Sequence, residues 1–117
     1  MKTSELTGAA LDWAVAKCEG RGYVMDETEY APDGRTYQRG TAQSGGPNYS
    51  TDWAQGGPII EREAMCISRT NKTREVPWAA YIAGYYWIDG PTPLIAAMRC
   101  YVASKLGDDV DVPKELT

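Results

Sequence analysis

The stretch Gly90-Pro91-Thr92-Pro93-Leu94-Ile95-Ala96-Ala97-Met98-Arg99-Cys100-Tyr101-Val102-Ala103-Ser104-Lys105-Leu106-Gly107 decides how the chain is read. Thr92 carries a hydroxyl able to cap a helix start, and Pro93 suits the first helical position, where its missing N–H has no intrahelical partner to lose. Leu94, Ala97, Met98, Tyr101, Val102 and Lys105 then recur at helical spacing. Gly107 supplies the usual C-terminal stop. The spacing therefore predicts a core helix from Pro93 onward.

Reading back from that helix, residues 76–98 hold a single charge, Asp89. Pro77, Gly84, Gly90, Pro91 and Pro93 break the segment into pieces shorter than the roughly 20 apolar residues a membrane span needs. It reads as a core strand followed by the core helix. Trp78 to Ile82 forms that strand, and Met65 to Ser68 an earlier one, so the two pair as a hairpin around Asn71 with a basic tip of Arg69, Lys72 and Arg74. Near the start, Thr3 and Ser4 are placed to cap a helix in which Leu6, Ala10, Trp13, Ala14 and Lys17 recur, ended by Gly20 and Gly22. Tyr23-Val24-Met25 reads as a short strand, and Val110 and Val112 as an edge strand before Pro113. Helices near both ends and strands between them predict one α+β layered domain over residues 1–117, a short antiparallel sheet flanked by an N-terminal and a C-terminal helix.

A long Gly/Pro-rich loop is expected at about 31–57, where Gly34, Gly40, Gly45, Gly46, Gly56 and Gly57 fall. Within it, Ser50, Thr51 and Asp52 are side chains that cap a helix start. The reading is a helix of one or two turns from Asp52 that meets Gly56-Gly57, with Pro58 restarting a helix through Glu63.

Composition narrows the chemistry. The 117 residues include no histidine and no phenylalanine, and the net charge is -4. Without an imidazole there is no Ser-His-Asp or Cys-His nucleophile pair and no His-ligated metal. An acidic balance also argues against a polymeric nucleic-acid partner, which needs clustered Lys and Arg. Cys18, Cys66 and Cys100 are distant from one another and odd in number, which reads as reduced core thiols. The opening Met1-Lys2-Thr3-Ser4-Glu5 lacks the apolar core of a secretory signal, so the expected compartment is the cytoplasm. No catalytic residue, metal or cofactor is expected, and no membrane contact.

The segments Tyr49-Ser50-Thr51-Asp52-Trp53-Ala54-Gln55-Gly56-Gly57-Pro58-Ile59-Ile60-Glu61-Arg62-Glu63, Trp78-Ala79-Ala80 and Gly90 to Arg99 resemble the NinX-like family of small tailed-phage proteins. Ala10-Leu11-Asp12-Trp13-Ala14-Val15-Ala16 fits the same family, so the resemblance covers most of the chain except residues 21–43. The order of motifs is also similar to the phage ABA-sandwich domain, which implies a small layer of strands flanked by helices. The resemblance implies a phage accessory protein made in a bacterial cytoplasm, without naming an activity.

The two family-matching motifs begin helices, where free N–H groups and the helix dipole favour an anion. Tyr49, Ser50, Thr51, Asp52, Trp53 and Gln55 from the first motif, Thr92 from the second, and Trp78 and Arg99 nearby form the candidate ligand-binding set. Hydroxyls donate, Arg99 adds charge, and the aromatic rings offer a stacking wall, which together suit a nucleotide-type anion. The same residues also read as plain caps and core. The expected function is noncatalytic sequestration of such a ligand, by analogy with small phage proteins that remove host immune signals. The alternative is a protein-interaction module that binds and redirects a host or phage protein through exposed aromatics and acidic surfaces, its contacts carried by the loop at 31–47 and the acidic tail. Separately, Tyr85-Tyr86-Trp87 would suit a homo-oligomer patch if exposed.

Overall fold

The last helix is the organising element. In the computed structural model, which describes residues 1–20, 48–70, 73–82, 84 and 87–112, the helices are α1 (Gly8–Cys18), α2 (Trp53–Arg62) and α3 (Pro93–Leu106), with a 3-10 turn at Thr3–Glu5. The strands are β1 (Cys66–Arg69), β2 (Trp78–Tyr81) and β3 (Ile88–Gly90). They form one antiparallel sheet in the order β1-β2-β3, with Cys66 opposite Tyr81 and Trp78 opposite Gly90. The architecture is the expected α+β layer, a short antiparallel sheet flanked by the first and last helices.

Start and stop of α3 follow the sequence. The Thr92 hydroxyl accepts the Ile95 N–H at 3.1 Å, and Gly107 leaves the helix at φ 87°. The helix is not amphipathic, however. Leu94 and every residue from Ala96 to Ala103 are buried, because α3 touches the 3-10 turn, α1, α2 and all three strands. A helix apolar on all sides belongs inside a domain. Small residues make the contact close: a Cβ on Gly90 would lie 2.5 Å from the Ala96 nitrogen.

Three local expectations are corrected. Thr3 and Ser4 do not cap α1, which begins at Gly8 after Thr7. Leu6 is fully buried in an extended conformation and interrupts the helix, while the Thr3 hydroxyl donates to the Gly107 carbonyl at 2.6 Å. Val110 does not add an edge strand to the sheet. Lys2 and Asp109 form an isolated antiparallel bridge, with the Val110 N–H on the Met1 carbonyl at 2.9 Å. Finally, Gly56-Gly57 and Pro58 do not divide α2, which runs through all three residues.

That continuity has a packing cause. A Cβ on Gly56 would come within 2.6 Å of both the Leu94 Cδ1 and the Tyr49 carbonyl oxygen. Glycine there lets α2 settle against the first turn of α3 rather than ending the helix. Two glycines and an interior proline oppose helix formation by about 5 kcal/mol relative to alanine. Tertiary contacts, not propensity, hold α2 together. Its end is a Schellman turn, in which Ala64 N–H donates to Glu61 and Met65 N–H to Ile60, with Ala64 at φ 52°. The third strand, Ile88–Gly90, is shorter than any pattern that alternation reveals. The short strand expected at 23–25 lies outside the described residues, as do residues 31–47 of the Gly/Pro-rich stretch; residues 53–57 of that stretch are helical.

Candidate functional site

The two helix starts do meet. Leu94, in the first turn of α3, sits against Gly56 of α2, and Tyr49, 7% exposed, lies in the same core. Trp78 approaches from β2, where it pairs with Gly90 just before α3. Gly56 thus brings Tyr49 and Leu94 together, and the Trp78–Gly90 pairing brings β2 to the start of α3.

Most polar groups of the two helix starts have partners within the chain. Asp52 accepts the Ala54 N–H at 2.9 Å through its side chain, and its carbonyl accepts the Gln55 and Gly56 N–H groups. Gln55 Oε1 accepts the Asn48 N–H at 2.7 Å. Thr92 serves the Ile95 N–H, and its carbonyl takes the Ala96 N–H. These are the amides an anion would use at a helix N-terminus. Thr51 is exposed.

Arg99 takes a third position. Its guanidinium is buried and donates from Nε to the Leu6 carbonyl at 2.6 Å and from NH1 to the Asp89 carbonyl at 3.0 Å. Burial lowers its proton affinity. It ties the N-terminal segment and β3 to α3. Ser50 is buried against α1, where its backbone N–H donates to Asp12 Oδ1 at 2.8 Å. Burial raises the Asp12 carboxyl above the ordinary range, and the Ser50 donors only partly oppose that. In sequence Asp12 is an acid among alanines, with nothing to distinguish it from a solvent-facing residue.

The aromatic supply divides. Trp13 is buried beneath Lys17, whereas Trp53 at the start of α2 is 54% exposed. Trp87 is half exposed and stacks on Tyr81, ring centroids 5.2 Å apart. Trp78 is half-buried under the Arg69 guanidinium.

One polar cluster escaped sequence reasoning because its members come from the ends of α1 and α2 and the interior of α3. Arg62 NH1 and NH2 donate to the two Glu19 carboxylate oxygens at 3.0 and 2.6 Å. The same NH2 approaches the Tyr101 hydroxyl at 3.1 Å, and that hydroxyl donates to Glu19. Arg62 Nε also donates to Glu63, 3.1 Å away. Bonds to Glu19, then Glu63, raise the Arg62 proton affinity, and burial followed by the Glu19 bond raises that of the Tyr101 phenol. A fork-to-fork pair of this kind fixes orientation as well as energy. Elsewhere a cavity of about 270 Å³ is lined by Lys2, Thr3, Ser4, Ile88, Asp108 and Asp109. None of the nine candidate binding residues borders it.

Among the described residues no helix is long and apolar enough to cross a membrane. No curated protein matches the chain. The family described as Bacteriophage P22, NinX matches residues 2–105, so the chain belongs to that family.

Proposed function

We propose, from membership of this phage family, that the chain is a noncatalytic accessory protein of the bacterial cytoplasm that grips a protein partner with Trp53 as anchor. The observation that carries this reading is the 54% exposure of Trp53 in a chain whose Trp13 is buried. Asp52 caps the helix start directly before it, so the indole is presented from an ordered turn rather than a loose loop. A tryptophan seated in a partner's pocket is among the strongest single contributions an interface can have. Trp87 on Tyr81 offers a second aromatic contact. The lack of any imidazole in the sequence supports binding over catalysis.

Sequestration of an anionic nucleotide-type ligand, which the sequence favours and which would make the protein anti-defence, has weaker support. Its donors, the Ala54 and Ile95 N–H groups, are already accepted by the Asp52 and Thr92 side chains, and its charge at Arg99 is engaged within the chain. Thr51 and Trp53 remain exposed for it.

The deciding experiment is affinity capture from phage-infected cells with the unmodified chain and with Trp53→Ala, folding of both checked by circular dichroism. One stoichiometric protein retained by the first and lost by the second supports the proposal. Equal recovery by both, or calorimetric binding of a cyclic dinucleotide or ADP-ribose derivative with no protein captured, overturns it.

A further inference from the structure

The segment 48–62 is attached differently from the rest of the domain. Of α2 only Gly56 and Ile59 are buried, whereas α1 buries Ala10 to Ala16 without a break. Among the described elements, the packing partner of α2 is α3. Its links to α1 are polar and lie at its two ends. Asp12 receives the Ser50 N–H before the helix begins, and Glu19 receives the Arg62 fork where the helix finishes. Asp12 and Glu19 are seven residues apart, close to two helical turns, so one side of α1 holds both.

We infer that residues 48–62 form a separately opening unit, seated in the core through Tyr49, Gly56 and Ile59 and latched to α1 at its two ends by Asp12 and Glu19. A ten-residue helix carrying two glycines and a proline does not persist once undocked, so release and melting are one event. Opening uncovers Leu94 and Ile59, which are otherwise buried. The unit is a conformational device in its own right, whatever Trp53 binds. The apolar seat supplies most of the docking, and the latches set how often the unit leaves it.

Hydrogen exchange read by mass spectrometry on the intact chain tests this. Peptides covering α2 should exchange roughly tenfold or more faster than those covering α3, through one shared opening. Arg62→Ala should accelerate α2 by about another tenfold, with Arg62→Lys intermediate, and leave α3 unchanged. Exchange of α2 at the α3 rate in the unmodified chain overturns the inference, and so does equal acceleration of both helices by Arg62→Ala. If Arg62→Ala does not fold, the comparison of the two helices in the unmodified chain decides.

Discussion

The backbone N–H of Ser50 is held at 2.8 Å by the carboxylate of Asp12, a residue only 6% exposed on a helix whose other buried residues are all apolar. An asparagine would offer the same acceptor without a buried charge. Because burial lifts the folded-state pKa of Asp12 above its unfolded value, its contribution favours the fold at low pH and is lost as pH rises through the folded pKa. Asp12→Asn should therefore equal or exceed the unmodified chain in thermal stability at pH 7, and the advantage should shrink on acidification toward pH ~4. Asp12→Ala, which strands the Ser50 amide, should lose about 1–3 kcal/mol. Denaturant melts of the three proteins at two pH values measure this; a large loss for Asp12→Asn at pH 7 is the contrary result.

Neighbouring glycines in α2 should respond with opposite signs. Gly57 has open space where a Cβ would stand, so Gly57→Ala should stabilise the fold by about 0.5–1 kcal/mol. Gly56→Ala should destabilise it despite the same gain in helix propensity, since one of the two obstructing atoms is a backbone carbonyl that cannot move aside cheaply. Paired urea denaturation curves read the signs directly.

Ala64 sits at φ 52°, where an L side chain is strained and glycine is not. Ala64→Gly should raise stability by roughly 0.5–1 kcal/mol while the Schellman bonds remain. No rise in melting temperature would mean that the turn is not strained as described.

Arg99 should tolerate no simple replacement. Arg99→Lys retains a charge but cannot reproduce two donors in a fixed fork, leaving the Leu6 or Asp89 carbonyl short of a partner. A loss of about 2–4 kcal/mol is expected, comparable with breaking a buried charged bond. Calorimetric unfolding checks it. A near-neutral Arg99→Lys combined with loss of ligand or partner binding would instead return Arg99 to a surface role.

The three cysteines should separate by reactivity. Burial lifts the Cys18 thiol to about 12 and the Cys100 thiol to about 11, so at pH 7.5 both remain protonated. Cys66 is exposed on β1. Titration with a disulfide reagent at that pH should give one fast equivalent in the folded protein and two more only after unfolding. Three fast equivalents would contradict the burial of Cys18 and Cys100.

How far the fold was legible depended on whether local chemistry and packing agreed. Thr92, Pro93 and Gly107 mark α3 in sequence as they do in space, and the β1–β2 hairpin lies within one residue of its expected limits. Gly56 misled because glycine serves two purposes, flexibility in turns and close approach in packed helices, and only Leu94 and Tyr49 reveal which one applies. Arg99 misled similarly: its i+7 distance from Thr92 says nothing of Leu6, 93 residues away, whose carbonyl it holds. The latch between Glu19 and Arg62 had no sequence signal, being 43 residues apart and at the ends of different helices. For the candidate site, the sequence expected the two helix starts to share a cleft; the structure sets Leu94 against Gly56, and it engages the Ala54 and Ile95 amides within the chain, which no spacing signals.

The helix that touches every other described element is also the last of the described elements in chain order. During synthesis at about 5–20 residues per second, α1, α2 and the first two strands emerge before the surface they pack on exists. For several seconds the nascent chain has apolar faces and nothing to cover them. Emergence of residues 93–106 then supplies the missing surface to all of them at once, so folding is timed by the appearance of that one helix rather than spread along the elements before it.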